Sequence, residues 1–276
     1  VRPAELGSLR QKPGPAPAER LSPTLLKNAD DQTVVGMAAV LQAIQAHGMS
    51  AMRFTEWGVL AAPRFLGRVT MAAARQRYLR EGAWGMSPHL IPHRCLHSIS
   101  GTVSQALKIH GPNLGIGGGP GSVLEALRCA TAMLHADKLP GVWVVLTGWD
   151  PEPVPDDTGV APPESQCLGL ALALGTARTG WRGPRLRLIP AEESLNKSAR
   201  ASREQSHDLL TLERLMTALA VPEAKAAAVV WQLEDGGRLE LERAGSNLGL
   251  AGPHAWGLAG GRVIVGSSGA GAENSL

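Results

Sequence analysis

The stretch that most constrains this chain runs from Lys108 to Ala130, KIHGPNLGIGGGPGSVLEALRCA. Leu114 to Ile116 is a short apolar run, and Gly117, Gly118, Gly119 and Gly121 open backbone angles closed to other residues. The chain can turn sharply there. Beyond the turn, Val123, Leu127, Ala130 and Leu134 recur at helical spacing with Ala126 and Met133 beside them, and Ser122 is placed to cap the helix. The reading is a strand, a tight elbow and a buried helix, whose free N–H groups aim at whatever the elbow presents.

Three kinds of chemistry can be weighed at such an elbow. A phosphate cradle would need the Gly-Lys-Ser/Thr of a P-loop; GIGGGPGS lacks it, and Pro120 removes an N–H donor. A serine hydrolase would present G-x-S-x-G, whereas the text around Ser122 is Pro-Gly-Ser-Val-Leu, so capping is the better role for that hydroxyl. Upstream, His89, His93 and His97 stand four apart with Cys95 among them, a metal-binding stripe on a straight helix. Pro92 interrupts that helix, so no metal or cofactor site is expected.

Composition narrows the class further. With 276 residues, 44% of them hydrophobic, the chain can bury a full core. A net charge of +3 with scattered Lys and Arg, apart from a group at Arg182, Arg185 and Arg187, gives no nucleic-acid footprint. No apolar run has membrane-spanning length and no signal-peptide pattern opens the sequence, so a cytoplasmic protein is expected. Three cysteines without metal-ligand spacing, each in an apolar segment, read as buried free thiols.

Along the chain, residues 1–28 read as a Pro-rich lead running extended over the surface. Asp30 or Asp31 can cap a helix carrying Val34, Val35, Met37, Ala38, Leu41 and Ile44 and ending at Gly48. A strand follows at WGVLAA, a helix across FLGRVTMAAARQRYLREG, a segment broken by Pro88 and Pro92, and a short helix from about Thr102 to Ile109. After the elbow helix, GVWVVLTGW is a strand buried on both faces, since its apolar residues run without alternation. A proline-rich loop, strands at SQCLGLALALG and RLRLIP, a helix from Leu209 to Ala220 and a hairpin at AAAVVWQLEDGGRLELERAG complete the pattern. Alternating helices and buried strands give an α/β sandwich.

The order of these segments resembles the N-terminal half of the β-ketoacyl synthase family, the thiolase-like condensing enzymes. WGVLAA stands where the family has a GVVLGT-like strand, SPHLIP at Ser87 to Pro92 where it has SPFLIP, and Gly111, Pro112 and Asn113 match its GPN before the nucleophile elbow. VWVVLTG and, from Glu164, ESQCLGLALALG continue the match, which covers Ala29 to Gly175. The resemblance implies a thiolase-like layered αβα sandwich, abbreviated relative to a full condensing enzyme. Residues 29–190 would form the synthase-like domain, and 191–276 a short C-terminal portion with the hairpin and a Gly-rich tail.

The family places a cysteine at the turn, where it takes up the acyl chain as a thioester; aligned from Gly111, that position is Pro120. Proline offers no nucleophile. Cys129 lies more than two turns down the helix and Cys95 lies before the elbow, so neither is placed to substitute. Of the family's two C-terminal histidine motifs one is absent; HAWGLAG from His254 to Gly260 echoes the other in His, Gly, Ala and Gly, but Gly and Ala are abundant in this chain and no partner histidine precedes it at a family-like distance. The resemblance is therefore to a chain-length-factor-like subunit with a degenerate elbow, Gly119, Pro120, Gly121 and Ser122, and no catalytic residue. The implied partner is a β-ketoacyl synthase, or a second copy of this chain, serving acyl carrier protein indirectly in fatty acid or polyketide, aryl-polyene-type, synthesis. Leu90, Ile91, Leu96, Ile116, Gly118 and Pro120 would line the partner interface or acyl tunnel. The alternatives are an atypical acyl-processing enzyme of the same fold and a Gly-rich-loop ligand-binding protein. Family members also open with a strand and glycine turn; RVIVGSSGAG, Arg262 to Gly271, has that character at the opposite end, and a rearranged chain order would let it supply the missing strand.

Overall fold

The structure, a computed structural model, describes residues 1–14, 22, 24–119, 121–156, 158–175, 185–189, 209–220, 228–233, 237–242 and 255–257. Pro120, His254 and the segment Arg262 to Gly271 lie outside them. In chain order the elements are α1 (Pro3–Gln11), α2 (Asp31–Ala46), β1 (Gly58–Pro63), α3 (Arg68–Glu81), α4 (His97–Leu107), β2 (Asn113–Gly115), α5 (Ser122–Ala136), β3 (Val142–Asp150), β4 (Gln166–Leu174), β5 (Arg185–Ile189), α6 (Leu212–Ala220), β6 (Ala228–Gln232), β7 (Arg238–Glu242) and β8 (Ala255–Gly257).

A first sheet runs in the order β2-β1-β3-β4, with β2, β1 and β3 parallel and β4 antiparallel to β3. A second, β6-β7-β5-β8, is antiparallel throughout and contains the expected hairpin, Val230 opposite Glu240. Strand periodicity sorts the first sheet's side chains onto two faces. Val59, Ala61, Trp143, Val145, Ala171 and Ala173 pack with α2 and α4 in one apolar cluster. Leu60, Ala62, Val144, Leu146, Leu170 and Leu172 enter another, with α5, α6 and the second sheet's Leu186, Trp231, Leu239 and Leu241. With both faces covered, β3 is buried at every position before Asp150, as its unalternating apolar run requires.

Helix α2 begins as expected, the Asp30 carboxylate accepting the Gln32 N–H at 3.0 Å. Two other expectations are corrected. The lead does not run extended from its start: Pro3, at a position where a helix loses no hydrogen bond, opens α1, and Glu5 Oε2 accepts the Arg2 N–H at 2.8 Å. Leu6 is buried against Val35, Trp149 and Cys167, and Arg10 clamps the helix to the Leu26 and Ala29 carbonyls and to Asp31. The second correction concerns α4, which starts at His97 rather than Thr102. It passes through Gly101 because Ile99 and Val103, one turn apart, are fully buried against α2 and β1.

Candidate functional site at the glycine elbow

β1 and β2 end side by side, and the chain leaves β2 at the elbow. Ile116 N–H bonds to Ala61 O at 2.9 Å, and the Phe65 N–H reaches across to Gly118 O at 3.2 Å. Gly117 and Gly118 take φ of +83° and +124°, which L side chains rarely adopt, so the turn demands glycine at both. Phe65 itself holds φ of +51°, with Arg68 lying 5.3 Å over its ring. A non-glycine residue in that region is a strained element beside the turn.

Ser122 is the first residue of α5, and its role differs from the expected cap. The cap position is Gly121, no side chain closes the helix end, and the Ser122 N–H bonds to Gly119 O at 3.2 Å. Ser122 is buried beneath Gly117, where an added Cβ would come within 2.5 Å of the serine's own Cβ. Smallness at 117 and 122 lets the turn fold onto the helix. Gly118, Gly119 and Gly121 face open space.

Polar contacts fix the strand ends that carry this turn. Thr147 of β3 donates to Gln32 Oε1 at 2.9 Å, and Gln32 Nε2 donates to Arg64 O at 2.9 Å, inside the sheet–α2 layer. The Arg64 guanidinium donates to Trp149 O, pairs with Glu213 of α6 at 2.7 Å and lies 3.5 Å from Glu152. Burial raises the Glu152 carboxyl above its ordinary range against the pull of Arg64 and Arg68. Burial acts the same way on Glu213, but a backbone N–H, the Thr211 hydroxyl and Arg64 outweigh it and hold that carboxyl lower. Sequence reasoning missed this group, and the signal was slight: one arginine just after a strand, whose guanidinium partners lie 85 or more positions away.

The expected interface residues are distributed unevenly. Leu96 is brought against the elbow strand, its carbonyl so close to Gly115 that a Cβ there would collide with it. Leu96 and Leu114 are exposed, and Ile91 more so at 75%. Leu90 is half-buried, and Ile116 packs on the apolar cluster around α5. Gly118 borders open space. The cysteines differ from the expectation of three buried thiols: Cys167 is buried in β4, Cys129 half-buried on α5, and Cys95 exposed, because its segment is a run of turns rather than a packed helix. Burial, with Asp30 and Asp31 nearby, pushes the Cys167 thiol far above its usual range. His89 and His93 lie with ring centres 6.1 Å apart, and no group of three metal-ligating side chains converges among the described residues. Among those residues no helix is long and apolar enough to cross a membrane.

No family model matches this sequence, and no curated protein matches it. The fold is nonetheless that of a known class. The chain is similar to the solved structure of the ishigamide ketosynthase/chain length factor, at a TM-score of 0.51 and 15% identity over 82% of this chain and 84% of that one. A ketosynthase (ApeO) in complex with its chain length factor (ApeC) from Xenorhabdus doucetiae is more distant, at 13% identity, 81% and 82% coverage and a TM-score of 0.46. The layered α/β architecture expected from the order of segments is therefore the one observed, thiolase-like and shared with a ketosynthase/chain length factor structure.

Proposed function

We propose that this chain is a chain-length-factor-like subunit, catalytically silent by itself, that pairs with a cysteine-bearing β-ketoacyl synthase in fatty acid or polyketide, aryl-polyene-type, biosynthesis. The observation that carries the reading is an elbow whose described part has parallel strands, two positive-φ glycines and a buried helix start, in a chain where the position aligned with the family's nucleophile is Pro120. The scaffold of a nucleophile is kept and the nucleophile is not there. A partner surface follows from the same region. Among the described residues β2 is the edge of the first sheet, only three residues long, with exposed Leu114 on it and exposed Leu96 and Ile91 beside it. Apolar side chains flanking an open strand edge suit another subunit's surface.

Co-expression with a cysteine-bearing synthase encoded beside it tests the pairing, read as a heterodimer by size-exclusion chromatography and mass. Substitution at Gly118 would mix interface and backbone effects, because its φ strains any side chain. Gly119→Arg avoids this, since Gly119 faces open space without a positive φ. Gly119→Arg and Leu114→Arg should each abolish co-purification while leaving far-UV dichroism and the melting temperature of the isolated chain nearly unchanged. A wild-type chain that stays monomeric beside every such synthase, or variants that associate normally, would sink the proposal.

A further inference from the structure

Helix α3 is anchored at its start. Val69 is buried, Thr70 Oγ1 donates to Gly67 O at 3.1 Å and accepts from Arg94 Nε at 2.9 Å, and the loop after β3 crosses so near that a Cβ on Gly159 would lie 2.8 Å from that of Ala73. From Arg75 to Trp84 every residue is exposed, so the second half of the helix and the turn beyond it project from the body, by about 10 Å at the usual helical rise. The end of this projection is a built turn. Gly82 stops the helix at φ of +67°, its N–H bonding to Tyr78 O, and a 3-10 turn over Gly82–Gly85 folds back. A Cβ on Gly85 would fall 2.7 Å from the Glu81 Cβ, and the Met86 N–H bonds to Ala83 O at 3.1 Å. That turn holds Trp84 fully exposed at 100%, with Leu79 at 62% and Tyr78 at 52% behind it. Single exposed apolar residues are ordinary in proteins; a tryptophan held clear of the surface on a glycine-built turn is not.

Charge gathers at the same place. The helix carries Arg68, Arg75, Arg77 and Arg80 against Glu81 alone, an excess equal to the +3 of the whole chain. Only Arg77 is paired with that glutamate, at 3.0 Å. We propose that this arm is a peripheral docking site for an anionic lipid bilayer, into which Trp84 inserts with Leu79 and Tyr78 while the arginines lie among the headgroups. Tryptophan and tyrosine favour the interfacial region, where an apolar ring body and a polar N–H or O–H are both accommodated. Arginine stems pack on acyl chain while their guanidinium groups pair with phosphate. A bilayer suits the arm better than a protein groove does. A groove covers one face of a helix and leaves the other to solvent, whereas this arm is open on all sides through its last turns and a bilayer surrounds an inserted tip. The arm shares no residue with the surface proposed for the synthase, so the two readings stand or fall separately.

The test is co-sedimentation of the full chain with vesicles of phosphatidylglycerol and phosphatidylcholine in equal parts, against phosphatidylcholine alone. Partitioning should favour the anionic vesicles by about tenfold or more and weaken as salt is added. Trp84→Ala, and Arg75→Gln with Arg80→Gln, should each lower it by about tenfold at an unchanged melting temperature, because these side chains are exposed. Arg53→Gln, which removes an exposed arginine ahead of β1, should change it by no more than about twofold. Lipids brominated on their acyl chains should quench wild-type fluorescence, and Trp84→Ala should lose that quenching. Equal binding to both kinds of vesicle, binding that survives the arm substitutions, or binding without quenching of Trp84 overturns the proposal. So does an arm that ignores vesicles while a synthase or an acidic protein shields Trp84 from acrylamide, which would make a protein the occupant.

Discussion

Asp30 shows how one buried carboxylate ties the pre-elbow segment to the body of the protein. Its carboxylate caps α2 and receives Arg94 at 3.3 Å, and Arg94 also donates to Thr70 Oγ1 at 2.9 Å and Asn28 O at 3.2 Å. Burial nevertheless outweighs the arginine and raises Asp30 to a pKa of about 6. The folded state thus holds this proton more tightly than the unfolded chain, where an aspartate titrates near 4. Its contribution to stability is largest below that value, falls as pH rises to about 6 and is level above. The span is roughly two pH units, or on the order of 3 kcal/mol. Asp30→Asn keeps an oxygen for the helix cap and removes the titration. Between pH 4 and 7 the wild type should lose about that much stability relative to Asp30→Asn, measured by urea unfolding. A difference that does not change with pH would contradict the assignment.

At the scale of elements, the elbow depends on how closely α4 approaches β2. Gly115 pairs with Ala61 of β1, and a Cβ on it would run into the Leu96 backbone, which cannot turn aside as a side chain could. Gly115→Ala should therefore destabilise the protein by about 1–3 kcal/mol, the usual cost of overpacking. Gly119→Ala, facing open space, should stay within roughly 0.5 kcal/mol. Urea midpoints of the two variants check the contrast, and equal costs would mean that the approach is not a constraint. Legibility in the sequence followed the same physics. β3 was readable because a strand covered on both faces writes an unbroken apolar run, and the elbow because consecutive glycines before a helical spacing have few other uses. The start of α4 was hidden by Gly101, although Ile99 and Val103 carried the helical period. α1 was hidden by the prolines that follow it, although Pro3 and Glu5 already formed a helix opening. The Arg64 group was not readable, because its partners come from elements far apart in the chain.

For the whole molecule, the order of segments carried more information than any single motif. At 15% identity to a structure that shares the fold, side chains offer little to match, and the reading rests on the order of strand, helix, broken segment, elbow and buried strand in this chain. That order fixes the layers but leaves the chemistry to particular residues, and the proposed silence rests on those residues. In the proposed thioester chemistry the acyl group is taken up by an accessible thiolate at the helix start. Pro120 supplies none, Cys167 is buried with its thiol pushed to higher pKa, Cys129 is half-buried along α5, and the exposed Cys95 lies in the turns before α4. Incubated with acyl carrier protein or coenzyme A thioesters, the isolated chain should therefore keep its unmodified mass. The complex with a synthase should gain one acyl group, and only on the partner's cysteine. A stable adduct mapped by peptide mass spectrometry to Cys95, Cys129 or Cys167 would overturn the silent-subunit reading and make this chain an acyl-transferring enzyme.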